Sequence, residues 1–479
     1  SASSSISRMP HVHAFGDDAL GHFDAVGLID ALNSGRVGRA EVVEAAIART
    51  EAVNPALNGL AYEAFDRARA QAAKPSGPAD EGFFSGVPTF IKDNVDVAGL
   101  PTMRGTDAWP PRPVAADSDF ARMYLATGMT PLGKTQMSEY GFSASAEHPR
   151  LGPVRNPWNT EHTAGASSSG SGAFVAAGAV PIAHANDGGG SIRIPASCNG
   201  LVGLKPSRGR LPLDKEVSRM PIRVVANGVV SRSVRDTAAF YREAERIWPA
   251  PKLPSIGDVT HAGKQRLRIA VFTHSLLREC SPELRELTLK SAGLLEELGH
   301  RVDHLEKPPV PSSFAPDFVL YWGLLAMGQI QQNRHAIDAF DVTRLDNLSR
   351  GLDRHARRNL HRIPLALLRL ARARRHTARL TRTYDLVLTP TLADEPPRIG
   401  YLDPTADYQQ IIDRLEEWVA YTPLQNVTGE PAISLPLAVS ANGLPVGMMF
   451  SAPIGQEARL LELAYELEDA RPWARIDEV

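Results

Sequence analysis

The residues best suited to nucleophilic chemistry lie in two stretches rich in glycine and serine, GASSSGSG (165–172) and DGGGSIRIPAS (187–197). In the second, Gly188, Gly189 and Gly190 run directly into Ser191. Successive glycines let the backbone curl so that several N–H groups point into one cavity, with no side chain in the way. A serine closing such a turn can act as a nucleophile beside its own oxyanion hole. The structural alternative is a flexible glycine loop, although the flanking Asp187 and Arg193 could pin it. The first stretch leads into AFVAAGAVPIA, a small-residue helix whose N-terminus would aim free N–H groups and a positive dipole end at Ser167–Ser171. Its serines could equally serve as helix caps, and composition does not choose among Ser167, Ser168 and Ser169.

A serine nucleophile needs a base, and the chain has only nine lysines. Lys92 ends the apolar run of GVPTFIKDNVDVAGLPT, where burial is expected. A free lysine titrates near about 10.4 and is a useless base at neutral pH. Burial and a nearby helix N-terminus both disfavour the ammonium and could lower it by several units. An ion pair with Asp93 or Asp96 is the competing account of this lysine.

Other chemistries lack their residues. The fourteen histidines include no HExxH and no paired Cys/His spacing, so no metal centre is expected. No serine sits in GxSxG, and none lies three residues before a lysine. GMTPLGKT (128–135) matches the phosphate-cradling pattern GxxxxGK[ST], which requires a strand before it and a helix from Lys134. Here FARMYLATG reads as a helix before it and QMSEYGFSASAEHP as a poor helix after it. The pattern predicts a helix–turn–strand connection, with a nucleotide binder as the weaker alternative.

These loops must be held by a scaffold. A helix is expected after Gly38, ended by Asn54-Pro55, and a second over Leu60 to Ala73, followed by the turn-rich KPSGPADEG. Past the Pro-rich Pro249–Gly263, RLRIAVF reads as a strand, SPELRELTLKSAGLLEELG as a helix stopped by Gly299, and HRVDHLE as a strand. YDLVLTP and AISLPLAV read as further buried strands. Strands separated by helices argue for an α/β sheet. Residues 354–382 hold ten arginines; with Ile363, Leu367, Leu368 and Leu370 they predict an amphipathic helix with a solvated basic face.

The bulk numbers agree with a globular enzyme. Of 479 residues, 43% are hydrophobic and 22% charged, with a formal net charge of −2. That balance favours neither nucleic acid nor an anionic membrane as partner. Two cysteines are too few for a disulfide framework and suit a reducing compartment. The first twenty residues lack the apolar stretch of a secretory signal. Residues 162–186 carry no Asp, Glu, Lys or Arg but are too polar to span a bilayer. The expectation is a cytoplasmic protein.

Taken together, GVPTFIKDNVDV, GASSSGSGAFVAAG, NDGGGSIRIPASCNGLVGLKPSRGR, the SRSVRD at 231–236, YDLVLTPT and NVTGEPAISLP resemble the amidase signature family. The likeness runs in order to about Pro436, and the DGGGSIRIPAS form looks especially like stand-alone bacterial amidases related to cyclic-amide (nylon oligomer) hydrolases. The resemblance implies a single large α/β domain with a mixed central β-sheet flanked by helices. It implies Ser191 as nucleophile, Ser167 as a bridging serine in a cis peptide and Lys92 as base. The oxyanion hole would use Gly188, Gly189, Gly190 and the Ser191 amide, supported by Ser168, Asp187 and Arg193. No cofactor is implied, the partner is a small-molecule amide, and a homodimer is possible. An ammonia-generating amidotransferase subunit is the alternative within the family. Residues 1–15 are read as a tail or expression remnant. The domain would then span 16–479, with N-terminal helices over 16–80, a core over 86–236 and a variable pocket region over about 300–380. Pocket walls are expected from 210–225 and 310–365, with Trp158, Tyr321 and Trp322 as aromatic candidates. The family commonly shows GGSSGG; Ala166 and Ser169 replace two of those glycines here and could narrow the site.

Overall fold

The computed structural model describes residues 10–74 and 82–479. The tail residues before Pro10 and most of KPSGPADEG therefore lie outside the described residues. The body is one α/β domain around an eight-stranded mixed sheet. Its strands run Arg301–His304, Arg268–Val271, Leu386–Pro390, Pro445–Ser451, Ala432–Val439, Val202–Lys205, Ala226–Ser231 and Ile182–Asp187 across the sheet. The first three pair in parallel and the rest antiparallel. The strands read from RLRIAVF, HRVDHLE, YDLVLTP and AISLPLAV all fall in this sheet. The helix between the first two is Pro282–Glu297, and Gly299 follows it at φ 93°.

A second, three-stranded sheet places Thr130–Thr135 between Leu60–Glu63 and Pro88–Lys92. Two expectations need correction here. The run from Leu60 to Ala73 is not one helix: Leu60–Glu63 pairs antiparallel with Thr130–Thr135, and the helix covers Phe65–Ala73. Tertiary pairing overrides local helical preference at those four residues. Asn54-Pro55 does not end the preceding helix, which runs Arg39–Leu57 and stops at left-handed Asn58. A proline in the last turn forfeits one hydrogen bond, to the carbonyl of solvent-exposed Glu51.

The helix Ser169–Ala176 is buried along its whole length. It begins within the serine–glycine stretch and overlaps the expected AFVAAGAVPIA only over its first four residues, and it packs so closely that a Cβ at Gly170 would collide with the Gly59 carbonyl. The GMTPLGKT segment is the predicted helix–turn–strand connection: helix Asp119–Ala126 precedes strand Thr130–Thr135. Lys134 is sealed inside, 3.0 Å from Asp93. No phosphate could reach it there. A separate layer of helices, including Phe314–Ala336, Asn347–Arg358 and Tyr408–Trp418, covers the loops that follow Asp187. No helix among the described residues is long and apolar enough to cross a membrane.

Candidate active site

Lys92 is the last residue of the buried strand Pro88–Lys92 and has no solvent exposure. Its Nζ lies 2.6 Å from Ser167 Oγ, 2.6 Å from Asn186 Oδ1 and 3.3 Å from the Asn186 carbonyl. Neither Asp93 nor Asp96 pairs with it; Asp93 is held by Lys134. With no counter-ion to offset desolvation, burial pushes the Lys92 ammonium down to about 7, against a weaker upward pull from Asp187. The Lys92 backbone N–H donates to His184 Nδ1, while His184 Nε2 meets Asn227 Oδ1. Burial lowers His184 to about 3, so the imidazole stays neutral and props the strand end.

Ser167 precedes the helix Ser169–Ala176, and the Ala166–Ser167 peptide is cis. Ser168 sits below it: its hydroxyl donates to the Asn186 carbonyl at 3.1 Å. Ser169, one of the two glycine replacements, turns its hydroxyl back to the Gly165 carbonyl at 2.5 Å and stays out of the cavity. Ala166, the other, does line a pocket at the site.

Asp187 ends the strand Ile182–Asp187 and organises the glycine turn. Its carboxylate accepts from Gly190 N–H (2.8 Å), Ile192 N–H (3.1 Å) and both Arg193 Nε and Nη2 (2.9 Å each). Asp187 and Arg193 are both fully buried. Burial alone would raise this carboxyl, but Arg193 and Asn426 outweigh it and hold it well below the usual carboxylate range. Thr422 Oγ1 clamps the turn from outside, donating to the Gly189 carbonyl at 2.6 Å.

The oxyanion assignment needs one correction: the Gly190 amide is already donated to Asp187, so it serves the turn and not the cavity. The amides of Gly188, Gly189 and Ser191 donate to no protein atom among the described residues. Ser191 and Ser167 line one cavity of about 530 Å³ together with Asn94, Asn186, Tyr140 and Trp322. A direct Ser167–Ser191 hydrogen bond is not among those the described residues make.

The aromatic candidates separate cleanly. Trp322 lines the cavity and donates Nε1–H to the Phe142 carbonyl. Tyr321 is core, its hydroxyl bonded to the Ile222 carbonyl. Trp158 lies away from the site, bonded to the Asn199 carbonyl. From the expected wall at 210–225, Lys215, Glu216, Arg219 and Met220 reach the cavity. Asn186, Tyr140, Phe142 and Thr422 went unpredicted. Only Asn186 carried a signal, its position directly before DGGG.

The Amidase family model matches residues 41–461, and the chain belongs to the amidase signature family. It is 72% identical to the AmiC protein of Mycobacterium leprae over 98% of this chain and 99% of that one. It is 32% identical to the 6-aminohexanoate-cyclic-dimer hydrolase of Paenarthrobacter ureafaciens, covering 94% and 95% of the two chains. A bacterial aryl acylamidase of the amidase signature family superposes with a TM-score of 0.85 at 27% identity, over 95% and 98% of the chains. The protein is thus an amide-hydrolysing enzyme.

Proposed function

We propose that this chain cleaves a carboxylic amide in two acyl-transfer steps, with Ser191 as nucleophile, Ser167 as proton bridge and Lys92 as base. One observation carries the reading: a buried, unpaired amine held near neutrality 2.6 Å from a serine hydroxyl that shares the Ser191 cavity. A neutral amine has two hydrogens and one lone pair. The two Asn186 oxygens accept the hydrogens, which leaves the lone pair for the Ser167 hydroxyl hydrogen.

In the first step Lys92 draws a proton through Ser167 as Ser191 attacks the carbonyl carbon. The free amides of Gly188, Gly189 and Ser191 are the donors available to the developing oxyanion. Ser167 returns the proton to the leaving nitrogen, the C–N bond breaks, and water then releases the acid from Ser191. The hydroxyls of residues 167 and 191 must close on each other in the substrate complex, as catalytic hydrogen bonds commonly do on binding. Replacement of Ser191 by Ala should abolish labelling by a fluorophosphonate and lower amide turnover by orders of magnitude. Labelling that survives S191A removes Ser191 from the role.

A further inference from the structure

Ser191 stands between two cavities of opposite character. The 530 Å³ cavity is lined by charged and amide side chains, among them Asp96, Arg104, Asp117, Glu216 and Gln329. On the other side a pocket of about 90 Å³ is walled by Phe142, Ile194, Phe318, Leu352, Ile412 and Leu415. Phe142 and Trp322 line both and form the neck, their rings 5.8 Å apart in a T-shaped contact.

The apolar pocket contains one ionisable side chain, Glu416. It belongs to the helix Tyr408–Trp418, is half-buried, and has no hydrogen-bond or ion-pair partner among the described residues. The nearest charges do not neutralise it. Asp413 lies one turn before it on the same helix, and Arg278 is engaged by Glu417 at 2.8 Å. Glu416 also lines a third cavity beyond the pocket, together with Phe318, Val319, Val419 and Pro423, whereas Ser191 does not. Both residues line the apolar pocket, but Ser191 also opens on the polar cavity and Glu416 on the third one.

A carboxylate facing apolar walls costs free energy unless a cation meets it. We propose that Glu416 is a specificity-determining residue that selects amides in which one substituent is a short apolar chain ending in a cationic group, such as a primary ammonium. The chain occupies the pocket, its reacting carbonyl reaches Ser191, and the cation pairs with Glu416. This rests on the amide-hydrolysing reading of Ser191 given above.

The test compares matched substrates on the purified full chain. Hexanoyl nitroanilide and its ω-amino counterpart, with shorter and longer homologues, place the chain on the acyl side. Acetyl amides of hexylamine and of its ω-amino counterpart place it on the amine side. The expected result is a kcat/KM preference for the cationic member of at least one pair, carried by KM. In E416Q that preference falls roughly tenfold, and E416K shifts it toward a carboxylate-terminated chain. Turnover of both members with no charge preference, or a preference that E416Q leaves intact, overturns the assignment of Glu416 alone. Absence of turnover of any amide by the unaltered protein overturns both this inference and the reading it rests on.

Discussion

At the scale of single residues, Lys92 sets the conditions under which the site can work. An amine buried without a counter-ion sheds its proton near neutrality because desolvation penalises only the charged form. The base is active when neutral, so kcat/KM should rise as pH increases through about 7 and level off above it, as a single ionisation. A profile flat across that range would take the titration away from Lys92. The same burial weakens the fold. Unfolded, the amine titrates near about 10.4, so between 7 and that value the unfolded chain binds more protons than the folded one. Wild-type stability therefore rises with pH across that window. Lys92→Met should cut amide turnover by orders of magnitude while raising the melting temperature at neutral pH, with the gain shrinking toward about pH 10. A variant that both unfolds and dies would make this lysine structural.

At the scale of the element, the Asp187–Arg193 turn is rigid where a run of three glycines suggests looseness. Asp187 gathers two turn amides and a fully buried guanidinium, and Thr422 holds the Gly189 carbonyl from the next layer. The three glycines are not equivalent. Gly190 has φ 137°, and a Cβ there would run into the Thr422 hydroxyl and the Ile194 methyl. Gly188 has ordinary φ, and its Cβ would stand 3.2 Å from Trp322 and Val225, side chains that can give a little. Gly190→Ala should therefore lose on the order of 2 kcal/mol or more of stability, together with most activity. Gly188→Ala should fold nearly normally and alter KM, because it meets the cavity wall. Thermal melts and steady-state kinetics on the pair check both halves; equal damage from the two would mean that the turn is uniformly tight.

At the scale of the whole molecule, the segment before the first helix is tied into the body. Val12 and Ala14 donate to the carbonyls of Pro157 and Ala177, and the Phe15 ring lies under Arg49, Arg232 and Arg475. These arginines come from three distant parts of the chain, so Phe15 joins them without touching the site. Phe15→Ala should cost about 2 kcal/mol and lower the melting temperature, with kcat/KM unchanged. A fall in kcat/KM at a temperature where the variant is fully folded would show a coupling to the active site.

Four strands of the main sheet and the serine–glycine loops were legible in the sequence because each is encoded locally, by apolar runs and by contiguous motifs, whereas the helix read from AFVAAGAVPIA overlaps the observed Ser169–Ala176 only at its first four residues. The likeness of those motifs to a known family likewise named Lys92, Ser167 and Ser191. Other features had no local trace. Leu60–Glu63 became a strand only because Thr130–Thr135 offered an edge to pair with. The Gly190 amide was withdrawn from the cavity by the Asp187 carboxylate, and Thr422, far along the chain, closed the turn. Asp93, one of the two aspartates in the competing account of Lys92, pairs with Lys134, and Lys92 meets Asn186 instead. Local spacing determines which groups are available. Which partner each group meets, and whether water is excluded there, depends on contacts between segments far apart in the chain, and only tertiary packing decides those.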